Sequence, residues 1–341
     1  TEKKRGRTRN PSPRLYQQFV TAVGKRYGEQ VSTWSIWNEP NHPDYLTPQY
    51  RKGKPVSGQH YRELFLAGWR GLRASGNGGD TVLMGETAPI GSSKVVPPLT
   101  FLRDTLCLDI RYAKDRSCSN LPADGYAHHA YATRNGPFFE PGSPNSVTIG
   151  TLGRLTEALD RAGQAGAIDR GMGIYLTEYG VQSVPDRFSG VSLAKQAEFL
   201  AISERIAYEN RRVRSFSQYL LRDDDPTSKG VFGGFETGLE LASGKRKPSY
   251  DGFRLPLAVT KRGQQVSVWG RVRPATDPTT AVVQVKDGKG KWEQLKQVRT
   301  DRTSTFSFRS ADKPGRVWRL RWTSPGGDTF TGPPIRAYRA P

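Results

Sequence analysis

The chain has 341 residues, 35% of them hydrophobic, with a mean hydropathy of -0.65. That is the length of one barrel-sized domain plus a smaller one, in a water-soluble composition. No run of about 18 apolar residues occurs, so composition excludes a membrane-spanning helix. No apolar stretch follows Thr1-Glu2-Lys3-Lys4-Arg5, which suits a mature or truncated chain and leaves export open.

Residues 1–13 are basic and proline-containing and read as a loop or frayed terminus. Leu15, Phe19, Val20, Val23 and Tyr27 recur at helical spacing, predicting a helix over 14–27 that Gly28 stops. Val31 to Trp37 is β-prone and apolar, a strand that Asn38-Glu39-Pro40-Asn41 breaks. Residues 42–55 form a polar loop in which Tyr45 and Tyr50 offer flat surfaces for sugar stacking or simple packing. A helix is predicted over 60–74, a strand over 81–85 ending at Glu86, and a helix over 99–108.

Cys107 and Cys118 flank an Asp- and Arg-rich segment and are predicted to close it as a disulfide. Two such ligands alone make no zinc site. A strand over 125–130 carries His128 and His129, which as strand neighbours point to opposite faces and do not suit one metal ion. A helix over 149–165 leads to a strand over 171–177 ending at Glu178, then a helix over 193–210 and a strand over 213–221. The aspartates of Arg222-Asp223-Asp224-Asp225 lack calcium-loop spacing and read as a solvated loop. Phe232 to Glu240 is glycine-rich and reads as an active-site loop, and Pro248 to Phe253 as a short final helix.

From Leu257 the texture changes to short strands over 265–271, 281–286, 292–298, 305–309, 317–322 and 329–338, separated by turn residues. This predicts a β-sandwich over 257–341 behind a catalytic domain over 1–256. The net charge is +20, and residues 257–341 hold 17 Lys and Arg against 6 Asp and Glu. A surface this basic suits an anionic polysaccharide, an acidic envelope or nucleic acid, but equally follows from arginine-rich composition alone. No nucleic-acid motif with interleaved aromatics accompanies it, which argues against that partner.

Trp37-Asn38-Glu39-Pro40-Asn41 and Leu176-Thr177-Glu178-Tyr179-Gly180 each end an apolar strand on one glutamate. Over residues 11–256 the sequence resembles the clan A retaining glycoside hydrolases, nearest to family 39 and the cellulase-like enzymes of actinomycetes. The resemblance implies a (β/α)8 barrel with Glu39 as acid/base and Glu178 as nucleophile, acting on a carbohydrate without metal or cofactor. It also implies that Asn38 meets the sugar 2-hydroxyl, that Tyr131 bonds the nucleophile, and that a nearby histidine lines the sugar site. The even spacing from His129 to Tyr131 gives that role to His129 and the core to His128. Trp37 would supply an apolar wall that keeps the acid protonated. Glu86 is a competing strand-end carboxylate; the resemblance leaves it a substrate-binding or structural residue. A secreted or cell-envelope location is expected. A glycan-binding barrel without catalysis is the alternative.

In the clan the acid/base ends strand four and the nucleophile strand seven. Counting from Glu39 gives five strands, so the first three of eight are expected on polypeptide outside this sequence, a fragment pairing with both open edges.

Overall fold

The computed structural model describes residues 8–225 and 234–339. The basic segment 1–7 and Phe232-Gly233 of the glycine-rich loop lie outside the described residues. Two compact units emerge: one comprises Thr1–Tyr131, Glu140–Tyr179 and Asn210–Ser217, the other Ala132–Phe139, Gly180–Glu209 and Gln218–Pro341.

The first unit is built on a five-stranded sheet. Its strands are β1 (Thr33–Ser35), β2 (Thr81–Thr87), β3 (Gly125–His128), β4 (Gly173–Tyr179) and β5 (Val213–Gln218), side by side in that order. The pairs β1/β2, β2/β3 and β3/β4 run parallel. Parallel strands need crossovers, and here helices supply them: α2 (Ser57–Ala74) and α3 (Pro98–Thr105) precede and follow β2, and α4 (Leu152–Gln164) precedes β4. Helix α1 (Pro13–Tyr27) starts on a Ser12 cap that accepts from Leu15 N and ends at Gly28. It packs against α2, where Gly68 and Gly71 leave room for Ile36 and Val20.

The central strands β2 and β3 are buried on both faces, as a parallel sheet covered by helices requires, whereas β1 and β5 at the edges are partly exposed. Glycine suits two positions here for different reasons. Gly125 on β3 lies where a side chain would strike Tyr175, and Gly85 on β2 has φ 108° against the Ala127 carbonyl. The predicted disulfide is present: Cys107 and Cys118 are joined, with their Cα atoms 6.3 Å apart.

The second unit contains α5 (Leu193–Glu209), α6 (Pro248–Arg254) and two sheets. Strands β6 (Leu257–Arg262), β7 (Gln265–Arg271), β8 (Thr280–Lys286), β9 (Glu293–Arg299), β10 (Thr305–Ala311) and β11 (Val317–Thr323) are followed by three short pieces. These are β12 (Thr329–Thr331), β13 (Ile335–Arg336) and β14 (Tyr338–Arg339). One sheet orders β9-β8-β11-β12, with β13 also on β11; the other orders β10-β7-β6-β14. Val259, Val268 and Phe306 from one sheet and Val283, Trp318 and Leu320 from the other share one buried cluster, which makes this a sandwich. Ile202 of α5 packs on Ala258 and Trp269.

Two expectations change here. The span 329–338 is three strands, because Gly332-Pro333-Pro334 interrupts the ladder. The aspartate cluster is solvated only in part: Asp225 is exposed, but Asp223 is buried with Lys247, whose Nζ lies 2.6 Å from Asp223 Oδ1 and also donates to Ser183 Oγ and the Glu236 carbonyl.

Candidate active site

All three strand-end glutamates of the first unit converge on one histidine. β1 leaves its ladder after Ile36, whose N–H bonds the Leu83 carbonyl. Trp37 and Glu39 then adopt left-handed backbone, with φ 69° and 36°. For residues with a Cβ this is strained, and such strain persists only where surroundings enforce it. The Tyr16 hydroxyl accepts from Trp37 N, the Trp37 indole donates to the Tyr45 carbonyl, and the Gln49 amide donates to the carbonyls of Pro40 and Leu46. Asn41, fully buried, donates to the carbonyls of Ala88 and Val96 and accepts from Ala88 N. The loop bearing Glu39 is thereby fastened to the segment just beyond Glu86.

On β2 the register shifts between Gly85 and Thr87, so Glu86 is an extra residue in the ladder, and its φ is 48°. The Tyr61 hydroxyl accepts from Gly85 N and steadies the bulge. Glu86 bonds Thr177 Oγ1 and Ser35 as well as His129.

His129 Nε2 lies 2.7 Å from Glu86 Oε2, and Nδ1 lies 2.8 Å from Glu39 Oε1 and 3.4 Å from Glu178 Oε2. The Tyr131 hydroxyl donates to Glu178 Oε2 at 3.1 Å, and its ring stacks on Tyr179. The side chains of Glu39 and Glu178 are 17% and 28% exposed, those of Glu86 and His129 only 7% and 1%. Glu39 and Glu178 therefore face outward, with Glu86 and His129 beneath them. His128 points elsewhere: it accepts from Thr87 Oγ1 and donates Nε2–H to the Val147 carbonyl, and burial pushes its pKa down to about 4. The Asn38 side chain has no hydrogen-bond partner among the described residues. Of the two loop tyrosines, Tyr45 is 38% exposed and Tyr50 donates to the Val95 carbonyl.

Electrostatics follow from this packing. Burial alone would discharge His129, but its bonds to Glu39 and Glu86 and the charge of Glu178 outweigh that and raise its pKa to about 10. Glu86 is pushed up by burial and pulled further down by His129, Ser35 and Thr177, so it stays ionised. Glu178 is displaced upward, first by burial and then by Glu39, against the pull of His129 and Tyr131. Among the described residues no group of three His, Cys, Asp or Glu is arranged to hold a metal ion, and no helix is long and apolar enough to cross a membrane.

Sequence reasoning singled out Glu39, Glu86, His129, Tyr131 and Glu178, and the structure brings these together. It missed Asn41, although the motif contains it, and Ser35 and Thr177, whose hydroxyls have no distinguishing pattern.

No protein-family model matches the chain, and no curated protein matches it. Solved structures that it resembles include a β-glucuronidase of Bacteroides uniformis, with a TM-score of 0.34, 11% identity, and coverage of 97% of this chain and 44% of that one. A family 51 α-L-arabinofuranosidase from Bifidobacterium longum gives a TM-score of 0.42 and 12% identity, over 89% of this chain and 65% of that one. An endo-β-1,4-mannanase from Thermotoga petrophila gives 0.39 and 12%, over 97% and 72%. The chain spans less than half the length of the glucuronidase.

Proposed function

We propose that this chain carries the catalytic centre of a retaining glycoside hydrolase of clan A, its five-stranded sheet forming part of a (β/α)8 barrel. One observation supports this above the rest: Glu39 and Glu178, from strands far apart in sequence, share Nδ1 of His129. Carboxylates whose oxygens meet at one nitrogen atom are close neighbours, as the about 5–5.5 Å separation of retaining pairs requires.

In this reading Glu39 gives its proton to the glycosidic oxygen while the Glu178 carboxylate attacks the anomeric carbon. The C–O bond to the leaving sugar breaks and a glycosyl ester forms on Glu178. Glu39, now ionised, takes a proton from water, which attacks the same carbon and frees Glu178. Tyr131 stabilises the ionised nucleophile, and the unpartnered Asn38 amide meets the 2-hydroxyl. The substrate is a poly- or oligosaccharide met outside the cell, and the basic sandwich is an appendage to the catalytic domain.

The upward displacement of Glu178 favours a second assignment, in which Glu178 protonates the leaving group and Glu39 attacks. The test is hydrolysis of a panel of aryl glycosides and cell-wall polysaccharides, with the first product anomer read by NMR. A product of retained configuration supports the proposal. An inverted product, or no hydrolysis of any member, overturns it.

A further inference from the structure

We propose that Glu86 is a positioning residue: from its bulge it holds His129 as the doubly protonated cation whose Nδ1–H lies between Glu39 and Glu178. This rests on the glycosidase reading only for its catalytic consequence.

The geometry carries the inference. Each nitrogen of His129 faces a carboxylate oxygen, at 2.7 and 2.8 Å. An ionised Glu86 only accepts, so Nε2 carries a proton; Oε1 of Glu39 accepts from Nδ1–H with the acid proton of Glu39 on its other oxygen. Of the three carboxylates, only Glu86 meets Nε2. It is itself fixed by Thr177 and Ser35 and held on strained backbone in a ladder with one residue too many. A group meant to bind sugar has to reach the opening, and Glu86 is nearly sealed off beneath it.

The groups facing His129 are Glu39 beyond β1, Glu86 on β2, and Glu178 on β4. From its own segment come Tyr131 and the neutral His128. Tyr61 and Tyr126 face Glu86 from behind. Glu86 is thus the buried countercharge that lets a cation persist where burial would neutralise it, and the cation in turn fixes both outer glutamates. The elevation of the His129 pKa to about 10 accords with this.

The test records nitrogen NMR of the full chain with labelled histidine from pH 6 to 10.5. His129 should show both nitrogens protonated at pH 8. In Glu86→Gln its midpoint should fall by more than about one pH unit as one opposing charge is removed, and Glu86→Asp should restore part of the shift. The alkaline limb of kcat/KM should move with the midpoint. A wild-type His129 that is neutral at pH 7, or a midpoint unmoved in Glu86→Gln with activity merely scaled, overturns the proposal. Where Glu86→Gln fails to fold, Glu86→Asp decides: its midpoint should lie below that of the wild type, and an unmoved midpoint overturns the proposal. A chain that cleaves no glycoside but shows the His129 shift keeps the positioning role and discards the glycosidase reading. Full activity with an unmoved midpoint does the reverse.

Discussion

Asn41 and Ala88 are joined by a reciprocal pair of hydrogen bonds, 3.0 Å from the Asn41 amide to the Ala88 carbonyl and 2.8 Å from Ala88 N back to Asn41 Oδ1. Asn41 lies two residues past Glu39 and Ala88 two past Glu86. The pair therefore sets the spacing of two carboxylates without touching either. Replacing Asn41 by Ala leaves buried backbone groups of Ala88 and Val96 unmet, at a cost of about 3 kcal/mol. The urea midpoint should fall with an unchanged slope, and activity should fall in protein that is still folded.

The two outer glutamates are separable by rescue. Glu178→Gln should abolish turnover. Glu39→Gln should lose about 10²–10⁴-fold on substrates with poor leaving groups and much less on activated aryl glycosides, which need no acid. Azide should restore Glu39→Ala and give a glycosyl azide of retained configuration. Azide giving the retained product with Glu178→Ala instead would establish the reversed assignment.

Tyr131→Phe removes a donor to the ionised form of Glu178, so the Glu178 pKa should rise further. A nucleophile must be ionised, so the acid limb of kcat/KM should move to higher pH. An acid limb that stays in place would mean that Tyr131 does not act on Glu178.

His129 links the site to stability. Its folded pKa of about 10 exceeds the unfolded value near 6.5, so its contribution is complete below about pH 6.5 and is lost as pH rises through about 10. Urea midpoints should decline across that window in the wild type, and the decline should flatten in His129→Gln.

In the second unit, Lys247→Met strands the Asp223 carboxylate in a buried site and should cost about 3–5 kcal/mol; adding Asp223→Asn should recover much of it. Paired thermal melts of the single and double variants measure the difference.

The sequence carried the sheet further than the site. Strands β2 and β4 were legible because apolar runs ending in a single glutamate need no knowledge of their neighbours. β1 was not: Val31 to Trp37 reads as one strand, but the strand is Thr33–Ser35 with single flanking bonds at Ser32 and Ile36, and beyond them Trp37 and Glu39 turn into left-handed backbone that tertiary bonds impose. Glu86 stood out as a strand-end carboxylate, yet its burial depends on Thr177 and His129 arriving from other strands. Asp223 reads as solvated until Lys247, 24 residues on, is known to cover it.

The extra residue at Glu86 makes the deepest of the three site carboxylates a matter of counting as well as chemistry. A strand presents alternate residues to alternate faces, so the aim of that side chain depends on how many residues precede it, not only on which they are. Deleting one residue between Met84 and Thr87 would restore a regular ladder and reset the facing of what remains. Every neighbouring amino acid could be kept and the third charge would still be gone, a loss that no point substitution elsewhere on the strand would repair.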